Sequence, residues 1–174
     1  LIELMVVLGL VAILGTLAAP SFVSLIEINR LQTKANSFLN DLQFARSEAI
    51  KQGLPVYICP TADNAVCSGA NNWATGWLVY VDADSSGTLD SGEQITRIRS
   101  AWSDQDTFVA NAPAAGATLP LQIGYSRDGL ALLSGSSALL SLRTASANAN
   151  AMRCIAIEPA GRAAVVVGGT GSCT

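Results

Sequence analysis

The sequence predicts an α+β fold, in which one long N-terminal helix lays its C-terminal half on an antiparallel β-sheet domain. Three observations predict it. Leu4–Ile26 contains no charged residue. Ile28, Leu31, Ala35, Phe38, Leu42, Ala45 and Ala49 then recur at steps of three and four, which is one face of a helix. Beyond Pro55 the chain breaks into short apolar runs separated by Gly, Asn, Asp and Ser, the punctuation of strands and turns. One helix followed by consecutive strands buries its stripe against a sheet. Three segments follow: 1–26, an apolar helix half; 27–53, the amphipathic half of the same helix; and 54–174, a β-rich domain.

The apolar half spans roughly 35 Å at about 1.5 Å per residue, enough to cross a bilayer core. It runs without a break into the next helical pattern and shows neither the flanks nor the cleavage site of a signal peptide. It therefore reads as part of the working protein. Two residues set it apart from a passive anchor. Glu3 stands at the edge of the apolar run, where a carboxylate entering lipid needs a positive partner. Pro20 lies near its end and removes an intrahelical hydrogen bond, so a bend is expected there.

In the second half, Glu27, Arg30, Lys34, Asp41, Arg46, Glu48 and Lys51 lie between the stripe residues, leaving the other faces polar. Gly53 supplies a C-terminal cap and Pro55 prevents continuation. Strands are expected at Pro55–Cys59, Gly76–Val81, Gln94–Arg99, Leu121–Arg127, Leu130–Leu133, Ala138–Arg143, Arg153–Glu158 and Arg162–Val167. Arg127-Asp128-Gly129 and Ser134–Ser137 read as hairpin turns. The Ala- and Gly-rich stretch Asp104–Thr118 and the Ala- and Asn-rich stretch Thr144–Ala151 read as surface loops.

Composition excludes several function classes. The 174 residues are 50% hydrophobic and 13% charged, with a net charge of −3, so nothing draws the chain to nucleic acid or anionic lipid in general. There is no histidine, and no G-x-S-x-G elbow, so serine chemistry lacks its base and no enzyme is expected. The four cysteines form no C-x-x-C pair, and a zinc site would need all four thiolates at unusual spacings. Disulfides in an oxidising compartment are expected instead. Proximity favours Cys59–Cys67 and Cys154–Cys173, with three connectivities open in principle.

The opening LIELMVVLGLVAILGTLAAPSF resembles the N-terminal segment of type IV pilins and type II secretion pseudopilins. The resemblance implies that two mature N-terminal residues and a short leader, cut by a prepilin peptidase, precede Leu1. It matches Glu3 to the acidic residue that pairs with a neighbouring subunit's N-terminal amine, and Pro20 to the helix-bending proline. The segment Leu42–Lys51 resembles the helix signature of the GspH/FimT branch of minor pilins and pseudopilins, which includes FimT and FimU. The order Cys59, Cys67, Trp73, Gly76-Trp77, Asp82–Glu93, Cys154, Gly161-Arg162 and Cys173 carries the likeness over nearly the whole chain. It implies a minor pilin that primes or forms the tip of a type IV pilus. Alternatives are a GspH-like pseudopilin of type II secretion and a DNA-uptake pilin. The implied partners are other pilins in a helical filament, the inner membrane before assembly, the prepilin peptidase and the assembly platform. The implied location is the inner membrane with a periplasmic domain, then the pilus at the surface of a Gram-negative bacterium.

Two polar motifs are candidate sites. The run from Asp82 to Glu93 reproduces the twelve-position EF-hand loop, with ligands Asp82, Asp84, Ser86, Thr88 (through its carbonyl), Asp90 and Glu93, and Gly87 at the turn. Strands are expected on both sides where an EF-hand has helices. Any Ca2+ there is thus structural, and the competing reading is a polar hairpin loop. No cofactor is otherwise required. Arg162 sits where some FimT-group members carry a DNA-binding Gly-Arg-x-Arg turn, but the run here is Gly161-Arg162-Ala163-Ala164. One arginine on an acidic domain offers little to phosphates, so DNA is not an expected partner. Trp77 is expected in the core, with Trp73 and Trp102 over a sheet edge.

Overall fold

A computed structural model of the chain describes residues 1–111, 120–135, 137–169 and Cys173; at 16–20 it describes the helix but not the side chains. Helix α1 runs from Ile2 to Gln52. It ends as its sequence dictates: Gly53 adopts a left-handed conformation and donates its N–H to the Ala49 carbonyl, closing the last turn. The bend expected at Pro20 falls on residues 16–20, outside the described side chains. Among the described residues no helix is long and apolar enough to cross a membrane.

The rest of the chain forms two antiparallel sheets. One has the order β3-β2-β1-β5-β6, with β1 Val56–Pro60, β2 Gly76–Val81, β3 Gln94–Ser100, β5 Ile123–Tyr125 and β6 Ala131–Leu132. The other has the order β4-β7-β8-β9, with β4 Thr107–Asn111, β7 Ala138–Arg143, β8 Arg153–Ile157 and β9 Ala163–Val167. Both sheets meet α1, mainly through β1 and β5 of the first and β8 and β9 of the second.

The expected helix stripe is the core seam. Leu31, Ala35, Phe38, Leu42, Ala45 and Ala49 are completely buried. Phe38 is its centre, edge-on to Trp73, Trp77 and Phe108 at centroid distances of 5.3, 5.1 and 4.9 Å. Perpendicular aromatic packing sets the positive ring edge against the negative face, so this cluster fixes the angle between helix and sheets as well as burying area.

Two expectations are corrected. Asp104–Thr118 is not simply a loop: Thr107–Asn111 is β4 and pairs with β7 from Thr107↔Arg143 to Asn111↔Leu139. Its alternate residues Phe108 and Ala110 are buried, a period-2 pattern too short to stand out in an Ala-rich run. Residues 112–118 of that stretch lie outside the described residues, as does Ser136 in the expected Ser134–Ser137 turn. Trp73 does not cover an edge. It is buried in a single 3-10 turn, Trp73–Thr75, and Trp102 stacks on Phe108 at 5.4 Å.

Candidate functional site

The first half of α1 carries a long run of exposed apolar side chains. Leu4, Met5, Leu8, Val11, Leu14 and Ile26 all stand more than half exposed. Monomeric proteins seldom leave so continuous an apolar stripe in water. Glu3 lies at its start, exposed beside Leu1, Leu4 and Val7.

At the junction between this half and the domain, polar clasps hold the helix. Asn148 donates to the carboxylate of Glu27 at 2.8 Å and to Ser24 Oγ at 3.0 Å, and Ser146 donates to Glu27 at 2.7 Å. The bonds from Asn148 and Ser146 hold the Glu27 carboxyl below its usual range. The loop at 144–151 is thus a tie to the helix. One turn further on, Arg30 and Lys34 reach Asp106 at 2.7 Å each, and Lys34 also binds Asp104 at 2.6 Å.

Deeper in the domain Asp41 is completely buried. It accepts from Arg97 at 2.6 Å, from Arg99 at 2.8 and 3.1 Å, and from the Trp77 indole at 3.0 Å. Burial raises its carboxyl, but the bonds from Arg99, Arg97 and Trp77 outweigh that and hold it below the ordinary range. The sequence alone places Asp41 only among the charges between the stripe residues. Its signal was positional: Asp41 is next to the stripe residue Leu42, and Arg97 and Arg99 are two apart on one strand, hence on one sheet face.

The acidic run forms the β2–β3 hairpin loop. Asp82, Asp84 and Glu93 bring one carboxylate oxygen each within 4.8 Å of one another. Asp82 is buried and accepts from the backbone N–H groups of Ser86 at 3.1 Å and Gly87 at 2.9 Å. Glu93 closes the loop by accepting from Ala83 at 2.9 Å and Asp90 at 3.0 Å. Ser86 and Thr88 turn their hydroxyls to Asp90, at 2.9 and 3.2 Å. Of the six expected ligands, three converge and the other three bond to each other.

Gly161 is buried in a left-handed conformation, where a side chain would run into the Gly129 carbonyl. Arg46 donates to the carbonyls of Gly161 and Ala160 at 3.2 Å each. The Gly161-Arg162 turn is therefore built to dock on α1, with Arg162 exposed beside it. Disulfides join Cys59 to Cys67 and Cys154 to Cys173.

Residues 34–161 match the family described as type II transport protein GspH. The chain belongs to the GspH family. Solved structures of two proteins share its fold. The type IV minor pilin FimU of Pseudomonas aeruginosa strain PAO1 is 18% identical, with a TM-score of 0.56 over 79% of this chain and 89% of its own; a second crystal form of FimU gives 17% and 0.53, over 78% and 91%. The minor pseudopilin EpsH from the type 2 secretion system of Vibrio cholerae is 13% identical, with a TM-score of 0.53 over 80% of this chain and 98% of its own. At such identities the likeness is one of fold. No curated protein sequence matches the chain. This GspH-family protein thus has the α+β fold of a type IV minor pilin and of a type 2 secretion minor pseudopilin.

Proposed function

We propose that this GspH-family chain is a minor type IV pilin that primes or forms the tip of a pilus filament. The observation that carries the reading is the divided helix: 27–52 is packed into its own domain, while Leu4, Met5, Leu8, Val11, Leu14, Phe22 and Ile26 of the first half stand more than half exposed. Lipid, or the same segment of other subunits, removes such a surface from water. Before assembly the helix sits in the inner membrane with the sheet domain in the periplasm. After processing by the prepilin peptidase, the assembly platform lifts the subunit and helices of neighbouring subunits replace the lipid. Glu3 pairs with a neighbour's N-terminal amine, cancelling two charges in an apolar interior where each alone is costly.

Fold similarity to FimU supports the pilus, and the description of the family as type II transport supports a second reading, a pseudopilin. Deleting the gene separates them: loss of surface pili with normal enzyme export favours the first, and the reverse favours the second. Glu3→Ala lowers the amount of subunit in sheared filaments by about tenfold or more, while the melting of its sheet domain is unchanged. Normal incorporation of that variant, read by immunoblot, sinks the charge-pairing mechanism.

A further inference from the structure

We propose that the outer edge of β9 is a strand-docking surface, where a neighbouring pilin-type subunit adds an extended, uncharged segment by backbone hydrogen bonds at Ala163 and Val165. The inference rests on the reading of the chain as a filament subunit, and it names the surface and chemistry of one contact in that filament.

Of the four edges of the two sheets, three are guarded. At β4 the Asn71 side chain donates to the Ala110 carbonyl at 2.8 Å and accepts from the Ala110 N–H at 2.7 Å. That amide takes the place of a paired strand residue. β6 spans two residues, and its Ala131 N–H donates to the Pro159 carbonyl at 3.0 Å. β3 carries Arg97 and Arg99, and its pairing with β2 shifts register between Val79 and Tyr80. Charge, bulges, short length and covering groups are the means by which an edge avoids joining another strand.

β9 has none of these guards. Ala163-Ala164-Val165-Val166-Val167 contains no charge and no proline, it ranges from half-buried to exposed, and valine is a strong strand former. The register decides which backbone groups face outward. Gly168 donates to Met152 and Glu158 donates to Arg162, each at 2.9 Å. With Cys154↔Val166 and Ala156↔Ala164 between them, the even-numbered residues exchange bonds with β8, because bonded and non-bonded pairs alternate along an antiparallel ladder. Ala163 and Val165 therefore turn their N–H and C=O groups away from β8. Among the described residues nothing bonds to them there. Such a row is a template for another strand.

The course of β9 names the occupant. The strand begins at the Gly161 turn, held by Arg46, and ends where Gly168 lies against Met152. Met152 follows the 144–151 loop, which clasps Ser24 and Glu27. The free edge thus descends to the junction with the exposed apolar half of α1. A subunit whose helix packs on that half lies beside the lower end of β9, so the two contacts are continuous. Ala163 and Val165 turn their side chains to the main core, and Val166 packs with the Cys154–Cys173 cluster. An added strand therefore meets small or β-branched apolar side chains on both faces, and a charge placed there would lose water without gaining a partner.

The test is photo-crosslinking in the host that builds the filament, with benzoylphenylalanine in place of Ala164, or of Ser100 at the guarded β3 edge as control. Illumination of filaments links the probe at position 164 to another pilin-type subunit, identified by mass spectrometry, about tenfold more than the probe at position 100. Val165→Pro removes an outward N–H and leaves the bonds to β8 in place. It lowers the adduct by about three- to tenfold, the effect of one lost hydrogen bond, and keeps the Tm of the detergent-purified full chain within about 2 °C. Ala163→Pro, at the other outward N–H, replaces it where Val165→Pro melts lower. Val165→Ala retains the adduct. Filaments that contain the native chain but give no subunit adduct overturn the strand docking alone. So does an adduct with a protein of another class, or one undiminished by the proline variants. A native chain missing from sheared filaments overturns the filament reading, and this inference with it.

Discussion

The Asp41 carboxyl is held below its ordinary range in the protein interior because four N–H donors from three side chains converge on its two oxygens. A carboxylate held below its ordinary value of 3.8 binds its proton more weakly folded than unfolded. Its stabilisation is therefore complete above the unfolded value and fades as pH falls through the folded one. The domain should lose stability on acidification from about pH 4 downward, and Asp41→Asn should flatten that acid limb. The same variant should cost about 2 kcal/mol at pH 7, less than a fully enclosed pair because Arg97 and Arg99 are one-third to one-half exposed and water screens them. Chemical denaturation as a function of pH measures both effects. Sequence reading placed Asp41 on α1 but not in the core, since no periodicity reveals which strand arginines will arrive opposite it.

Among the elements, α1 shows how far pattern alone reaches. Its stripe was legible because seven apolar residues keep a helical spacing over six turns, and the structure buries that face. Phe38→Ala empties the meeting point of Trp73, Trp77 and Phe108, so a loss of about 3–5 kcal/mol is expected, seen as a fall in the denaturation midpoint without a change in slope. β4 shows the limit. Thr107–Asn111 has the strand period, yet it spans five residues and two of its buried contacts come from a phenylalanine and an alanine. Its pairing with β7 across some thirty residues is what makes it a strand, and pairing is not a local property. Gly76 shows the same dependence: its φ of 106 and the Arg99 carbonyl of the neighbouring β3, which a side chain would strike, both require glycine there.

At the scale of the whole molecule, two disulfides secure segments that the core does not. Cys59–Cys67 holds the connection after β1, and Cys154–Cys173 ties the end of the chain to β8. A Cys154→Ser, Cys173→Ser double variant frees a nineteen-residue separation and should cost about 3 kcal/mol by the loop-closure argument. Melting scans with and without reductant check this, since the variant should lose most of the reductant sensitivity of the native chain. The clasps from Asn148 and Ser146 to Glu27, and from Asp104 and Asp106 to Arg30 and Lys34, are equally global. They join the second sheet and its approach to the turns of α1 just below the apolar half, and so set how the domain is carried on the helix.

The sequence by itself determined the α+β class, the apolar and amphipathic halves of the helix, most strands and the family, and it favoured the near-neighbour cysteine pairs. All of these rest on spacing within a few residues or on a motif read in order. Only the tertiary structure decided that Asp41 is a buried hub, that Trp73 belongs to the core, that Gly161-Arg162 is a docking turn and that β4 exists. It also decided which carboxylates of the acidic loop converge. Each of these depends on which distant residues arrive opposite one another, and burial and charge pairing between segments dozens of residues apart leave no periodic trace along the chain.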